Sequence, residues 1–160
     1  MLASAVEAHA ESPLHADILS VLSTVYIQRA TPAHLETAEH HAKQGLDFVV
    51  KAHGDKSLEA AAMYTTLALA QQYLSRWVGA EPDLPFVIIC ERFQMLICYG
   101  TSRLADAEAS IIKALDIREA VCVADDLRIA ESLCVLCAIH LAKGSLERAE
   151  EGAERCMYIR

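Results

Sequence analysis

The sequence predicts an all-α protein in which antiparallel helical hairpins stack side by side. Apolar residues recur at the three- and four-residue spacing of a helix through nearly all of the 160 residues. The strict alternation that marks a half-buried strand is absent. In addition, the phrase Leu-x-x-Ala-Glu occurs three times, beginning at Leu35, Leu104 and Leu146. Recurrence of one phrase at intervals of about 20–50 residues is typical of stacked helical arrays.

Short breaks divide the chain into seven predicted helices and a weaker eighth. Each break carries turn or capping residues: Thr31-Pro32, Gly54-Asp55, Pro82 with Pro85, Gly100-Thr101, Asp125-Asp126 and Gly144-Ser145. A Thr, Ser or Asp side chain accepts a hydrogen bond from a free N–H at a helix start, and Gly tolerates the left-handed backbone that ends a helix. The helices are expected at 14–29, 33–52, 57–76, 85–99, 103–121, 126–143 and 146–160, with the eighth at 2–11. Connections this short make successive helices antiparallel neighbours.

The repeated phrase is accompanied by a fixed set of packing residues. Seven places after its Ala comes a small residue, which is Gly45, Ala114 or Cys156. The helix before each phrase has a matching face with a large residue, a Leu and a small residue. On the last such helix this face consists of Leu133, Leu136, Cys137 and His140, and on the first it consists of Leu19, Leu22, Ser23 and Tyr26. This pattern predicts hairpins that bury one face internally and another against their neighbours.

On these residues the chain resembles the tetratricopeptide repeat family. The last two phrases are 42 residues apart, and with the segment AEASIIKALDIRE they are similar to the longer repeats of the kinesin-light-chain type. The resemblance covers residues 17–160 and implies a right-handed superhelix, an α-solenoid, whose concave groove is lined by the first helix of each hairpin. The middle departs from the pattern, because only 29 residues separate Tyr64 from Phe93. Either one repeat is truncated around Trp77–Pro85, or the helix at 85–99 is the second of its hairpin.

The resemblance also implies which residues line the groove. Family members contact ligands with first-helix side chains at three positions set by the large residue that opens the packing face. Carried over, these are Asp17, Ser20 and Thr24, then Ala62, Thr65 and Leu69, then Glu91, Gln94 and Cys98, and finally Glu131, Cys134 and Ala138. The set contains no Lys, Arg or Asn, which argues against the family members that grip acidic C-terminal tails. The expected partner is an apolar or weakly basic protein segment, such as an amphipathic helix, unless some of these residues only pack against neighbouring helices.

Two clusters contain the residue types of a metal or redox site. Cys134 and Cys137 form a C-x-x-C motif, with His140 three places on. Because the motif lies within a helix, with Cys137 on the packing face, it is expected to serve the core. The other cluster consists of His34, Glu36, Glu39, His40 and His41. It lacks the His-Glu-x-x-His zinc spacing and is expected to be a solvated helix face. Glu108 and Glu150 are likewise expected to be exposed charges, and no metal, cofactor or catalytic residue is predicted.

Composition limits the partners and the compartment. The formal net charge is -8, and an acidic surface repels nucleic acid and anionic membranes. The first fifteen residues lack the basic start and the apolar stretch of a secretion signal. Six Cys without such a signal suit reduced thiols, so the cytoplasm is the expected compartment and the nucleus is the alternative.

These observations favour a single helical-repeat domain over residues 1–160 that belongs to a longer array. The expected function is that of a protein–protein interaction scaffold, or adaptor, without enzymatic activity. The alternative is a sensor domain that holds a small ligand or signalling peptide and switches an attached module. The predicted final helix leaves Ile159 exposed, so that helix is expected to contact further repeats or a second copy of the chain.

Overall fold

A computed structural model of the protein describes residues 14–29, 31–77 and 86–159, with side chains described for 15–29, 31–75 and 103–159. This part of the chain forms six α-helices and no strand, which confirms the all-α prediction for the described residues. The helices are α1 (Leu14–Arg29), α2 (Pro32–His53), α3 (Leu58–Trp77), α4 (Phe86–Val121), α5 (Leu127–Ala142) and α6 (Leu146–Met157). The helix expected at 2–11 lies outside the described residues.

Two helix starts carry the side-chain caps that the sequence predicts. Before α2, the hydroxyl of Thr31 accepts a hydrogen bond from the backbone N–H of His34 at 3.4 Å, and Pro32 occupies the first turn. Before α5, the carboxylate of Asp126 accepts from the backbone N–H of Arg128 at 2.9 Å. A cap of this kind stabilises a helix by about 1 kcal/mol. The local sequence therefore sets where these two helices begin.

The start of α3 differs from the prediction, which assigns its cap to Asp55. The hydroxyl of Ser57 accepts a hydrogen bond from the N–H of Ala60 at 3.1 Å and so caps the helix. Asp55 instead accepts a hydrogen bond from the hydroxyl of Tyr64 at 2.7 Å. Burial of the tyrosine and this contact with a carboxylate raise the pKa of Tyr64 to about 12. Asp55 therefore ties the turn between α2 and α3 to the body of α3.

A single helix, α4, replaces the two helices expected at 85–99 and 103–121. It runs for 36 residues through Gly100 and Thr101, so the predicted break at these residues is wrong. An internal Gly costs a helix only about 1 kcal/mol, and packing along α3 outweighs that cost. The described helices therefore number six rather than seven. Of the two alternatives for the middle of the chain, the second holds, because 86–99 belongs to the second helix of its hairpin.

Each helix packs against the next one along the chain, and α3 also contacts α1 and α5. The starts of α1, α3 and α5 and the ends of α2 and α4 border one cavity, so these helices run antiparallel in sequence. The largest fully buried apolar side chains are Leu19, Leu35, Val49, Ile111, Leu133 and Ile139. Because α3 contacts both α1 and α5, the first helices of the three hairpins lie side by side. Within the described ranges, every helix is too short or too polar to cross a lipid bilayer.

Gly45 allows α2 to lie close to both of its neighbours. A Cβ atom added there would stand 3.4 Å from Cβ of Leu19 on α1 and would collide with the end of the Met63 side chain on α3. Leu19 and Met63 are both buried, so neither can turn away into solvent. The expectation that a small residue at this place serves close helix packing is therefore confirmed for the first copy of the phrase.

The carboxylate of Glu39 on α2 is buried, so the prediction of a solvated position is wrong. Only 7% of the residue is exposed. Its Oε2 atom pairs with Arg103 on α4, while its Oε1 atom lies 2.8 Å from Nζ of Lys43 and 3.3 Å from Nε2 of Gln71 on α3. The hydroxyl of Ser110 on α4, which donates to the carbonyl of Asp106 at 2.9 Å, lies 3.5 Å from Oε1 of Gln71. Three helices therefore meet at one compensated carboxylate.

Charge compensation keeps Glu39 ionised inside the protein. Burial by itself would raise its pKa, but hydrogen bonds from Lys43 and Arg103 outweigh burial and lower the pKa below the ordinary value of 4.5. A buried carboxylate that lacked such partners would cost several kcal/mol. The cationic partners are therefore required for the α2–α3–α4 packing.

The second copy of the phrase makes a related contact, in which the Glu approaches a residue of the next first helix without a hydrogen bond to it. Glu108 on α4 pairs with Lys143, and its Oε1 atom lies 3.6 Å from Nδ1 of His140 on α5. Glu108 and His140 are 32 positions apart, as are the two partners of the Glu39–Gln71 hydrogen bond. The side chain of Glu108 is only 17% exposed, so its prediction as an exposed charge is also wrong. In both copies the Glu approaches the polar residue 32 positions further along the chain, on the next first helix.

The end of α6 also differs from the prediction. The helix stops at Met157, and the N–H of Ile159 then donates to the carbonyl of Cys156 at 3.3 Å. This turn brings Ile159 onto a small apolar cluster, so Ile159 is half-buried rather than exposed. The cluster is formed by Leu115, Ile129 and Leu133. At this end of the chain, Met157 and Tyr158 are the exposed apolar residues instead, with exposed fractions of 75% and 82%. Glu150, the Glu of the third copy of the phrase, is exposed as predicted.

Gly45→Val is expected to destabilise the fold by about 1–3 kcal/mol, because the added methyl groups overlap Met63 and force α2 away from its neighbours. Urea unfolding followed by circular dichroism measures the change. Ala33→Val, at an exposed site on the same helix, introduces Val without this overlap, and because Val has a higher helix propensity than Gly, propensity cannot account for a loss at Gly45. Equal losses in the two variants would show that close packing at Gly45 contributes nothing.

Glu39 is expected to make stability depend on pH in the acidic range. Its folded-state pKa is lowered, so its stabilisation is complete above 4.5, the ordinary pKa, and is lost as the pH falls through the folded-state value. Glu39→Gln should remove this part of the pH dependence and cost roughly 1–3 kcal/mol at neutral pH, since the ion pairs of the buried carboxylate with Lys43 and Arg103 are lost. Urea unfolding from neutral to acidic pH tests this, with Glu150→Gln as the exposed control. Parallel curves for the parent and Glu39→Gln would contradict it.

Candidate binding cavity

A cavity of about 520 Å³ lies at the end of the molecule where α1, α3 and α5 begin. The ends of α2 and α4 complete its wall. Its apolar lining is Ala16, Phe48, Val49, Leu58, Ala62 and Met63, and its polar lining is Asp17, Ser20, His53, Glu59, Arg118 and Arg128. The volume falls within the roughly 300–1,000 Å³ of pockets that hold small ligands. Five helices therefore contribute to one site.

Charges of both signs line this cavity, and the sign depends on the helix. The acidic residues Asp17 and Glu59 come from α1 and α3, whereas Arg118 and Arg128 come from α4 and α5. Asp17 and Glu59 are exposed, so their carboxylates remain accessible to a ligand. The cavity can therefore contact a ligand that carries a basic group as well as a hydrogen-bond acceptor or an acidic group.

Arg118 is the one buried cation of the cavity lining, with 5% of the residue exposed. Its Nη1 atom donates to the carbonyl of Arg128 and, at 2.8 Å, to the hydroxyl of Ser132. The nearest carboxylate, that of Glu131, lies 3.7 Å away and is 66% exposed. Burial lowers the pKa of Arg118, and Glu131 only partly offsets that effect. The guanidinium is therefore desolvated and weakly compensated.

Arg128, by contrast, is fully engaged by the cap of its own helix. Its Nε and Nη2 atoms donate to the two carboxylate oxygens of Asp126 at 3.0 and 2.7 Å. These hydrogen bonds lower the pKa of Asp126 and raise that of Arg128. Of the two arginines in the lining, Arg118 is therefore the one with less charge compensation.

The structure brings three of the sequence-predicted groove residues together at the cavity. Asp17, Ser20 and Ala62 line it from α1 and α3. The hydroxyls of Thr24 and Thr65 lie elsewhere on these helices, and each donates to the carbonyl four residues earlier, at 3.0 and 2.9 Å. Such hydroxyls have already used their donor within the helix.

The other predicted groove residues do not line the cavity. Leu69 is half-buried on α3, and exposed Glu131 faces Arg118 from α5. Cys134 lies against α6, with its Sγ atom 3.5 Å from that of Cys156. Ala138 is half-buried. Glu91, Gln94 and Cys98 fall in α4, but their side chains lie outside the described residues.

Sequence reasoning misses Arg118, because the carried-over positions belong to first helices only. Arg118 stands on α4, the second helix of its hairpin. A signal is present nonetheless: Arg118 follows Ile111, Ala114 and Leu115 at helical spacing, on a row that is otherwise apolar. A cation in such a row predicts a buried guanidinium that reaches toward polar partners.

The Cys and His clusters serve packing rather than a shared site. Cys137 is half-buried, and a Cβ added at Gly152 on α6 would stand 2.7 Å from its Sγ atom. His140 is buried beside Glu108, as its place on the packing face predicts. Among the described residues, no three His, Cys, Asp or Glu side chains are arranged to hold a metal ion.

Two histidines of α2, His34 and His41, contact α1. The ring of Tyr26 stacks against His34 and His41, with centroid distances of 5.7 and 5.8 Å. A spacing of seven residues places both histidines on one face of α2, where each can contact Tyr26.

A second hollow, of about 510 Å³, lies over residues 144–148. A single turn forms its lining, so this hollow has no opposing wall.

Comparison with known proteins does not place the chain in a family. No protein-family model matches it, and no curated protein is significantly similar. The resemblance to tetratricopeptide repeats therefore depends on the repeated phrase and its contacts alone.

Arg118→Lys is expected to destabilise the protein by about 1–2 kcal/mol, because an ammonium group cannot reproduce the planar guanidinium that donates to both Arg128 and Ser132. Arg128→Lys, in the same lining but half-exposed, should have a smaller effect. Urea unfolding of both variants at neutral pH gives the comparison. An equal or larger loss for Arg128→Lys would show that the buried hydrogen bonds of Arg118 do not matter.

Proposed function

We propose that the chain is a tetratricopeptide-like interaction module that binds a segment of a partner protein across α1, α3 and α5. In this proposal the three hairpins stack as part of a right-handed helical array, and the cavity anchors one end of the bound segment. The observation that carries the proposal is that the first helices of three hairpins lie side by side and begin at one cavity. Such a surface suits an extended or helical peptide.

The cavity lining supports a partner with mixed character. Apolar residues such as Met63 and Val49 favour an apolar side chain as the anchor. Asp17 and Glu59 favour a basic residue nearby, in keeping with an apolar or weakly basic segment. Arg118 adds a donor for a backbone carbonyl or a carboxylate. We therefore propose an amphipathic segment that places its apolar face in the cavity and a basic side chain beside α1 and α3.

A second candidate function is the sensing of a small ligand. The volume of about 520 Å³ and the desolvated Arg118 favour this alternative, since a small molecule with an acidic group could occupy the cavity and contact the guanidinium. In that case the ligand would change how α5 packs, because Arg118 is hydrogen-bonded to Arg128 and Ser132 at the start of α5.

Ala62→Lys is expected to weaken binding while leaving the fold intact. Ala62 is exposed on the cavity wall, so a lysine there fills the cavity without entering the core. Ala109→Lys, an exposed alanine of α4 outside the lining, is the matched control. Proteins captured from extract by the parent are first identified, and the bound segment is then titrated as a fluorescent peptide. The dissociation constant should rise at least about tenfold for Ala62→Lys only, a change of about 1.4 kcal/mol.

The two candidate functions give different results in this experiment. If the low-molecular-mass fraction of the extract raises the melting temperature of the parent but not of Ala62→Lys, the small-ligand function holds. If a captured protein binds both lysine variants equally, the cavity is not its binding site, and the proposal for the first helices is wrong. The double variant Thr65→Lys/Leu69→Lys then tests whether the partner binds to the middle of α3 instead.

A further inference from the structure

Two thiols face each other across the last hairpin. The Sγ atom of Cys134 on α5 lies 3.5 Å from the Sγ atom of Cys156 on α6. Cys134 is exposed and Cys156 is half-buried, so a reagent in solution can reach the first of the two. The residues are 22 positions apart, and the turn between α5 and α6 brings them together. Neither residue lines the cavity.

We propose that Cys134 and Cys156 form a dithiol modification site that reacts with a small-molecule disulfide, such as oxidised glutathione, and closes to an intramolecular disulfide between α5 and α6. This site is independent of the proposed binding function. Its substrate class is a disulfide that is small enough to approach Cys134 at the surface.

The reaction balances as two thiol–disulfide exchanges. The thiolate of Cys134 attacks one sulfur of the small disulfide, forms a mixed disulfide and releases one small thiolate. The thiolate of Cys156 then attacks the Cys134 sulfur and releases the second small thiolate. The two protons of the protein thiols pass to the two leaving groups. The protein dithiol is thereby oxidised, and the small disulfide is reduced to two thiols.

The positions of the other cysteines favour this pair. A disulfide bond is about 2.0 Å long, so the sulfurs of Cys134 and Cys156 need to approach by only about 1.5 Å. Cys137, one turn along α5, points its sulfur at Gly152. Cys122 packs against the apolar cluster of Leu115, Ile129 and Leu133. Among the side chains that the structure describes, only Cys134 combines exposure with a second sulfur in contact.

The surroundings of Cys134 set how the reaction depends on pH. The hydrogen bond with Cys156 and partial burial raise the pKa of the Cys134 thiol. Only the thiolate attacks a disulfide, so the exchange is slow at neutral pH. Its rate should increase by up to about tenfold per pH unit below the thiol pKa.

Peptide mapping after incubation with oxidised glutathione tests the proposal. Remaining thiols are blocked with a maleimide before digestion with trypsin. Cys134 and Cys137 share the tryptic peptide 129–143, and Cys156 lies in 156–160. The expected product is a monomeric chain in which these two peptides are joined, formed faster as the pH increases. Cys137→Ser should give the same linkage, whereas Cys134→Ser should give none.

The melting temperature separates this linkage from a loss of fold. Closing the loop between α5 and α6 should raise the melting temperature of the oxidised parent by roughly 5 °C or more. Under reducing conditions Cys134→Ser should melt close to the parent, because Cys134 is exposed and serine is nearly isosteric with cysteine. A stable mixed disulfide at Cys134, a linkage that persists in Cys134→Ser, a linkage between two chains, or no linkage would each overturn the proposal.

Discussion

A buried carboxylate can be tolerated only where cations and hydrogen-bond donors meet it, and this requirement governs the centre of the molecule. Glu39 reaches Gln71 on the next first helix and Arg103 on the helix after that. The contact depends on the register of α2 on α3, because a shift by one turn would separate the carboxylate from Gln71 and Arg103, although Lys43 on the same helix would stay beside it. Glu108 pairs with Lys143 and approaches His140 on α5. In its first two copies, the repeated phrase therefore contributes contacts between successive hairpins as well as a helix-forming pattern.

The cavity follows from the same docking. Three first helices begin at the same end of the molecule, and the ends of α2 and α4 complete the wall of the cavity there. Arg118 is directed into this region because it continues the apolar row of α4. Its guanidinium donates to the carbonyl of Arg128 and the hydroxyl of Ser132 at the start of α5. The proposed binding site is thus built from helix ends, whereas the Cys134–Cys156 pair belongs to the facing surfaces of α5 and α6. The two sites can act separately.

Particular residues show where sequence patterns suffice and where they do not. Thr31 and Asp126 cap their helices as predicted, because a cap is a contact between residues two or three places apart. Gly100 does not end its helix, because the packing of α4 along α3 outweighs the cost of an internal Gly. Asp17, Ser20 and Ala62 do meet at one cavity, but Cys134 turns toward α6 instead. Residue spacing predicts which side chains share one face of a helix, but it does not predict which neighbouring helix packs against that face.

The sequence by itself determined the all-α class, most helix boundaries and the packing role of Gly45, since these depend on periodicity, capping and size along a short stretch of chain. Only the tertiary structure decided that Glu39 is buried and Glu108 half-buried, that α4 is continuous, and that Arg118 joins the cavity. Each of these depends on residues 10 to 64 positions away along the chain. The solvation and charge state of a side chain are set by what surrounds it in space, and local spacing carries little information about such distant partners.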